Sequence, residues 1–290
     1  MRKVLIYIII AIILLVTIFQ VWKYCNIKKY QIPVLVYHNI VLSESEKEKD
    51  ADALTVDDFK RQMNYLKENG YEAISMDDFY NWKTGNNKIP EKSVVITFDD
   101  GFYSFKYLVE PILKQYDFNA TCFVIGKVTM PETPKYEAER YGTIGLDEIN
   151  SKLENITYGS HTFYFHEQGE DGKPIIKNKN YEEIKQDTEK FNTELFDAKY
   201  LAYPYYTYTK DFVKVLEEEN YRLAFAGEEE MACKDVNNYK IPRISGVRNF
   251  EEFKQIFETN NYKNKYGNGI LRKIFVKINQ NIHLKCNKNF

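Results

Sequence analysis

The feature that most constrains the fold is a repeated alternation of short, apolar, β-branched runs with stretches whose apolar residues recur at helical spacing. Runs such as SVVITF (93–98), ATCFVIG (120–126) and RLAFAG (222–227) have the length and composition of buried strands. The stretch TVDDFKRQMNYLKENG (55–70) predicts a helix, because a Thr cap precedes its apolar face and a Gly follows it. The alternation predicts an α/β fold in which helices cover a parallel sheet, either closed as a barrel or open and doubly wound.

Length and composition are compatible with one large α/β domain. The chain has 290 residues, and its 44% hydrophobic content is ordinary for a packed globule. We find no internal repeat and no linker rich in Pro, Gly or Ser that would divide the alternating region. Within that region, LDEINSKLEN (146–155) predicts a further helix, whereas SESEKEKDAD (43–52) predicts a solvated loop.

Ionisable side chains follow several of the predicted strands. Asp99 and Asp100 come directly after SVVITF and precede a glycine. An Asp-Gly pair is also a common turn signal, so the pair alone does not identify a site. In parallel α/β folds, however, the carboxyl ends of the strands form the face at which ligands bind. His38, His161 and Tyr205 also follow predicted strands, so we expect them on the same face as the aspartates.

Two histidines, His161 and His166, lie five residues apart in YGSHTFYFHE. At this spacing they point to different sides of a helix or a strand, so they converge only if the chain bends between them. Two imidazoles and one carboxylate of the Asp pair would form a three-ligand set with an open position, as a catalytic zinc-type site requires. The other aspartate would remain free as a general base. An unrelated pair of surface histidines is the alternative.

The N-terminal residues have the pattern of a signal peptide or a signal anchor. Residues 4–19 carry no charge and follow Arg2 and Lys3. Continued to Trp22, this helix would be about 28 Å long, close to the thickness of a bilayer's hydrocarbon core, and no small-residue cleavage site follows. We expect an uncleaved single-pass anchor in the cell membrane with the domain extracellular; a cleaved, secreted form and a buried core helix are the alternatives. The predicted segments are a short basic N-terminus (1–3), a transmembrane signal anchor (4–22) and a juxtamembrane linker (23–32).

The C-terminal residues 261–290 form a basic tail. Seven Lys or Arg residues and no acid occur from residue 262 onward. The tail could contact anionic membrane or wall polymers, or it could be a solvated, partly helical end. The formal net charge of the whole chain is -2, which argues against a general nucleic-acid binder.

Three motifs together resemble the polysaccharide deacetylase family, also called the NodB-homology family or carbohydrate esterase family four. They are TFDDG after an apolar strand, the histidine pair in SHTFYFH, and YPY at a later strand end. The resemblance implies a distorted or incomplete (β/α) barrel and assigns residues 33–260 to the catalytic domain. The wide histidine spacing and the early VLVYHNI most resemble the subgroup that deacetylates poly-β-1,6-N-acetylglucosamine in biofilms.

The resemblance also implies roles for the metal ligands and the base. Asp100 would bind one divalent metal ion together with His161 and His166. Zn²⁺ is the expected ion for two histidines and a carboxylate, and Co²⁺ or Ni²⁺ could serve. Asp99 would be the base that deprotonates water.

Further roles follow from the same resemblance. Tyr205 would offer its backbone N–H to the oxyanion. Most family members carry an arginine two positions before this Pro-Tyr pair, but Ala202 occupies that position here. Arg243, in IPRISG, resembles a later family arginine and is the candidate to hold Asp99. His38, in VYHNI, matches the position from which the biofilm subgroup supplies the acid that protonates the leaving amine.

The expected function is metal-dependent hydrolysis of N-acetyl groups on a cell-surface N-acetylglucosamine polymer, with release of acetate. The resemblance favours poly-β-1,6-N-acetylglucosamine, while peptidoglycan and a chitin-like oligomer are alternative substrates. A glycoside hydrolase that uses Asp99 and another acid is a second candidate and would need no metal. A non-catalytic glycan-binding homologue is the third, prompted by Ala202, by Tyr206, which stands where the biofilm subgroup often has glycine, and by the lack of the late Leu-x-His of most family members. The sequence indicates no protein partner.

Overall fold

A curled parallel β-sheet forms the centre of the computed structural model, which describes residues 7, 9–19, 31–48, 50–137, 141–151, 153–245 and 249–258. The strands are β1 (Val34–Tyr37), β2 (Ile40–Val41), β3 (Leu54–Thr55), β4 (Glu72–Ala73), β5 (Ser93–Phe98), β6 (Ala120–Val124), β7 (Ile156–Ser160), β8 (Tyr200–Ala202) and β9 (Leu223–Phe225). Seven of them form one sheet in the order β1-β5-β6-β7-β8-β9, with β4 also paired to β5. Every pairing is parallel, which confirms the predicted α/β class.

The segment 241–244 pairs with both edge strands of this sheet, β1 and β9. Ile241 forms a parallel bridge with Phe225 of β9, and Ile244 forms one with Leu35 of β1. Backbone hydrogen bonds of 2.8 and 3.0 Å join Ile244 to β1. The sheet therefore curls into a distorted, incomplete barrel rather than remaining open and doubly wound.

α-Helices are interspersed with these strands along the described part of the chain. They are α1 (9–19), α2 (Glu44–Lys47), α3 (Val56–Glu68), α4 (Met76–Thr84), α5 (Glu110–Tyr116), α6 (Leu146–Ile149), α7 (Tyr181–Glu194), α8 (Lys210–Glu218) and α9 (Phe250–Glu258). In α3, the Thr55 hydroxyl accepts a hydrogen bond from the Asp58 N–H (3.3 Å), and Phe59, Met63 and Leu66 are buried. The predicted capping residue and apolar face of this helix are confirmed.

Several elements differ from the sequence expectations. The helix expected over 146–155 is only the single turn α6, because the chain must then reach the start of β7, where the Asn155 carbonyl accepts from the Ala120 N–H of β6 (3.0 Å). The loop expected over 43–52 contains α2, which begins at a Ser43 cap. A π-helical turn, Phe105–Val109, precedes α5. The helices α4 and α9 were not predicted.

The hydrophobic core lies on both faces of the sheet. In β5, Val94, Ile96 and Phe98 belong to one cluster, which packs under the outer helices, whereas Val95 belongs to a second cluster. This second cluster also contains Phe123 of β6 and Phe225 of β9, so it lies on the opposite, inner face of the curl, where Phe79 of α4 packs against it. Alternation along the strand thus directs every second side chain into the barrel.

The expected terminal segments lie largely outside the described residues. The helix α1 covers the central part of the predicted anchor 4–22. Within the described part of the chain, no helix has both the length and the apolar character needed to cross a membrane. The linker 23–32 is described only at its last two residues, and the tail 261–290 is outside the described residues. The domain boundaries therefore stay predictions.

Candidate active site

The predicted site residues surround one cavity at the carboxyl ends of β1, β5, β7 and β8. Its volume is about 190 Å³. Of the seven residues singled out in the sequence, six line the cavity, and the seventh, Arg243, contacts one of them from behind. The lining residues are Val36, Tyr37, His38, Asp52, Ala53, Leu54, Asp99, Asp100, His161, His166, Tyr205, Tyr206 and Ser245.

Asp99 and Arg243 form a buried ion pair at the base of this cavity. Asp99 is 2% exposed and Arg243 is 0% exposed. Nη1 and Nη2 of Arg243 donate to Oδ1 and Oδ2 of Asp99, each at 2.7 Å, which is the bidentate geometry of strong charge-assisted pairs. Burial by itself raises the pKa of Asp99, but the neighbouring Arg243 outweighs it and lowers the pKa below its ordinary value. The carboxylate is therefore ionised at neutral pH.

The bridges of segment 241–244 explain how Arg243 reaches Asp99. Arg243 lies between the two bridging isoleucines, and its side chain passes inside the barrel, 5.8 Å from the ring centre of Phe123. Its Nε donates to the Ala226 carbonyl and Nη1 donates also to the Thr97 hydroxyl, both at 3.3 Å. The expected contact between Arg243 and Asp99 is present, while the role of this contact in catalysis stays a prediction.

Asp100 turns away from Asp99 toward the histidines. Asp100 has a φ of 71°, and Gly101 has a φ of 69°. Such values cost a non-glycine residue free energy, and they are concentrated at functional sites. Gly101 is also close-packed, since a Cβ there would lie 3.0 Å from Cγ1 of Val124. The turn separates two adjacent carboxylates into different surroundings.

Asp100, His161 and His166 form a compact group of potential ligands. One ligand atom of each residue lies within 4.8 Å of the others. Oδ1 of Asp100 is 3.4 Å from Nε2 of His161 and 3.1 Å from Nε2 of His166. Nδ1 of His161 lies 2.8 Å from the Ala202 carbonyl, which can only accept, so Nδ1 carries the proton and Nε2 offers its lone pair to the group.

The group fits a divalent metal ion. Oδ1 of Asp100 is buried and accepts no hydrogen bond of acceptable geometry from the described residues. A buried carboxylate oxygen without a donor is costly, and a bound cation would satisfy it. Two imidazole nitrogens and a carboxylate oxygen suit Zn²⁺, Co²⁺ or Ni²⁺.

The chain bends sharply between the two histidines, as their spacing requires. Thr162, directly after His161, has a φ of 68°. The amides of Gly126 and Lys127, in the turn after β6, donate to the carbonyls of Thr162 and Phe163 at 3.0 Å each. A Cβ on Gly126 would lie 2.4 Å from the Phe163 ring, so this approach requires glycine. The bend brings the two imidazole centroids to 4.8 Å.

Asp187 of α7 holds the other side of the bend. Its Oδ2 accepts from the Phe163 N–H (2.9 Å), and its Oδ1 accepts from the Tyr164 N–H (2.7 Å). Sequence reasoning missed this residue. No local pattern identifies it, because an acid within a charged helix such as YEEIKQDTEKF is typical of a solvated helix face.

The rim of the cavity contains His166, Tyr205 and His38. The Tyr205 ring stacks on the His166 ring with centroids 4.8 Å apart and an interplanar angle of 29°. Sequence reasoning assigned Tyr205 a role for its backbone N–H and missed this ring contact. His38, directly after β1, is partly buried and lines the cavity. The roles assigned to Tyr205 and His38 in the reaction stay predictions.

A parallel barrel with carboxylates and imidazoles at its strand ends is the architecture of many hydrolases, and comparison with known proteins identifies the family. Residues 86–224 match the family described as polysaccharide deacetylase. The poly-β-1,6-N-acetyl-D-glucosamine N-deacetylase of Staphylococcus aureus is 28% identical over 217 residues, which are 71% of this chain and 71% of that protein. The protein of the same name from Staphylococcus epidermidis is 26% identical over 209 residues, covering 71% and 72%.

Two solved structures have a similar fold. IcaB from Ammonifex degensii aligns with a TM-score of 0.65 and 22% identity, covering 78% of this chain and 95% of that one. The deacetylase PplD of Streptococcus pyogenes, in complex with acetate, aligns with a TM-score of 0.62 and 24% identity, covering 74% and 91%. Residues 86–224 therefore form a polysaccharide deacetylase domain, and similar proteins are named N-deacetylases, which confirms the resemblance seen in the motifs.

Proposed function

We propose that this protein is a metal-dependent deacetylase that hydrolyses the N-acetyl groups of an N-acetylglucosamine polymer and releases acetate. The observation that carries the proposal is the grouping of two different carboxylates in one cavity. Asp100 lies within ligand distance of His161 and His166, while Asp99 is bound to Arg243 and remains outside that group. One carboxylate is thus available for a metal ion and the other for proton transfer.

The residues would divide the reaction among them. A divalent ion held by Asp100, His161 and His166 would polarise the acetyl carbonyl and lower the pKa of water. Asp99, kept ionised by Arg243, would accept a proton from the water that adds to the carbonyl carbon.

The later steps concern the developing oxyanion and the leaving nitrogen. The Tyr205 backbone N–H would donate a hydrogen bond to the oxyanion. His38 would donate a proton to the nitrogen as the C–N bond breaks, because an amide nitrogen leaves readily only after it is protonated. The products are acetate and a free amine on the sugar.

The names of the two staphylococcal relatives favour poly-β-1,6-N-acetylglucosamine as the polymer. Deacetylation of such a polymer would create amines that are cationic at neutral pH and attract anionic surfaces.

We also propose that the enzyme acts outside the cytoplasm, attached to the membrane by its N-terminal helix. The large apolar side chains of α1 are between 47% and 66% exposed. Such a helix needs an apolar environment, and a bilayer provides one. Cys233 takes part in a disulfide bond, and disulfides persist mainly outside the reducing cytoplasm. We expect the full chain to stay in the membrane fraction after carbonate extraction, and we expect protease added to intact cells to cleave the domain. Release into the soluble fraction or protection from protease would contradict the proposal.

The test of function is acetate release from defined β-1,6 and β-1,4 N-acetylglucosamine oligomers, with and without a chelator. Asp99→Asn should lower the turnover rate by about 10²- to 10⁴-fold while metal binding persists, because only the base is lost. Asp100→Asn should abolish both activity and metal binding. An Asp99→Asn variant with normal turnover would show that the assigned base is wrong.

The same assay separates the two alternatives. A glycoside hydrolase would cleave the polymer chain in the presence of chelator, and it would leave the paired imidazoles without a function. A non-catalytic homologue would bind the polymer and release no acetate even with metal supplied.

A further inference from the structure

Asp187 is a buried carboxylate that hydrogen-bonds to the loop 161–166, which carries both candidate histidine ligands. It lies in the middle of α7 and is 5% exposed. Its two oxygens accept hydrogen bonds from the consecutive N–H groups of Phe163 and Tyr164. Among the described residues, no Lys, Arg or His forms an ion pair with it. Burial raises the pKa of Asp187 to about 6, so the group is mainly ionised at neutral pH.

The position of these two amides shows what the contact with Asp187 can do. Phe163 and Tyr164 lie between His161 and His166, directly after the left-handed residue Thr162. A bend of this kind turns consecutive N–H groups toward the same side, where they can bind one anionic group. A carboxylate with one oxygen on each N–H therefore favours the bent form of the loop over an extended form.

The energetic balance supports a specific role for this acid. A buried carboxylate without a cation is costly, and an apolar residue would satisfy the packing of a helix at this point more cheaply. The cost is offset only where the carboxylate hydrogen-bonds to amides that would otherwise be buried without acceptors. The Phe163 amide is such a group, since its hydrogen bond to Asp187 is buried; the bond from the Tyr164 amide is partly buried.

We propose that Asp187 is a positioning residue for the metal site: it holds the bend that brings His161 and His166 to the same ion. The proposal rests on the metal site of the proposed function. Asp187 itself does not touch the ligand atoms, and it acts through the backbone between them. Loss of its carboxylate would let the loop relax and separate the two imidazoles.

The experiment measures Zn²⁺ binding to the full chain by competition with a chromogenic chelator, at a temperature where every variant is folded. Asp187→Ala should raise the Zn²⁺ dissociation constant about 10- to 100-fold, the usual effect of losing an outer group that orients a ligand. Asp187→Asn keeps the size and one acceptor oxygen, so its effect should be intermediate. Thr188→Val is the matched control, because Thr188 is equally buried in α7 but bonds only to its own helix, at the Ile184 carbonyl.

A second measurement uses Co²⁺ in place of Zn²⁺. The visible absorption of bound Co²⁺ should change in the Asp187 variants and remain unchanged in Thr188→Val, because the spectrum reports ligand geometry and not overall stability. Binding and spectra like those of the wild type in folded Asp187→Ala or Asp187→Asn would overturn the proposal, as would an equal loss in Thr188→Val. If the wild type binds metal but releases no acetate, the proposed function fails and the positioning role stands; if the wild type binds no metal, both fail.

Discussion

The inner side of the cavity and its rim are held by different interactions. On the inner side, Asp99 and His161 are each 2% exposed and are held by hydrogen bonds of 2.7 Å to Arg243 and 2.8 Å to the Ala202 carbonyl. On the rim, the His166 side chain is 22% exposed and stacks against the exposed ring of Tyr205. The inner side thus relies on buried polar contacts, and the rim relies on an aromatic contact open to solvent.

The difference indicates which part of the site is preorganised before a substrate binds. Buried polar contacts are costly to break, so the inner side is expected to keep its geometry whether or not a ligand is present. Aromatic contacts at a surface are weaker and tolerate small movements, which suits the side through which a polymer must enter. Two substitutions test this contrast directly, and a third tests the effect of a neighbouring charge on an acid elsewhere in the protein.

The largest effect is expected on the inner side. Arg243→Ala leaves Asp99 as a buried carboxylate without its cation, so the free energy of unfolding should fall by about 3–5 kcal/mol. Urea denaturation measures it. Arg222→Ala is the control, because Arg222 pairs with Asp77 at the surface and should lose no more than about 1 kcal/mol. Equal losses in the two variants would remove the distinction between a buried and an exposed pair.

A smaller effect is expected at the rim. Tyr205→Leu removes the ring that stacks on His166, so the Zn²⁺ dissociation constant should rise about threefold to tenfold, the equivalent of one aromatic contact. Tyr205→Phe keeps the ring and should bind as the wild type does. Both substitutions keep an unbranched Cβ at the left-handed φ of 52°, so backbone strain is similar. If Phe and Leu weakened binding alike, the hydroxyl and not the stacking would matter.

The smallest effect concerns Glu110, a partly buried acid outside the cavity that has another acid as its neighbour. Burial and, after it, the charge of Glu148 raise the pKa of Glu110 from 4.5 to about 8. The folded state then binds this proton more tightly than the unfolded state, so stability falls as the pH rises from 4.5 to 8. Glu110→Gln removes this dependence, and it should raise the free energy of unfolding by roughly 0.5–1 kcal/mol at pH 9, with little change near pH 5, because partial exposure reduces the full effect.

The control for this prediction is Glu68→Gln, which changes an exposed acid in α3. Thermal unfolding of both variants across the pH range measures the difference. A gain at pH 9 that also occurs in Glu68→Gln would reflect net charge alone. Together with Arg243→Ala, the result would show how strongly a neighbouring charge affects a carboxylate removed from water: the cation Arg243 stabilises ionised Asp99, and the acid Glu148 destabilises ionised Glu110.

Local patterns predicted those elements whose signals are contained in a short stretch. The strand SVVITF was predicted over 93–98 and is β5, and the Thr55 cap of α3 is confirmed. The helix α4 was missed although its signals are present: the Ser75 side chain accepts from the Asp78 N–H (3.1 Å), and Gly85 ends the helix with a φ of 89°. Its residues MDDFYNWKT carry few apolar side chains, because the helix contacts the inner cluster mainly through Met76, Phe79 and Trp82.

The sequence alone determined the α/β class, the alternation of strands and helices along the chain and the residue types at the strand ends, since periodicity and turn residues indicate which backbone conformation and which face a short stretch favours. The family resemblance pointed to Arg243 as the partner of Asp99, but only the tertiary structure showed that the two meet across 144 residues and that Asp187 binds the bend between the histidines. Both contacts depend on the curl of the sheet and on the packing of distant helices, and no local spacing encodes the distance between segments that meet only after the barrel has formed.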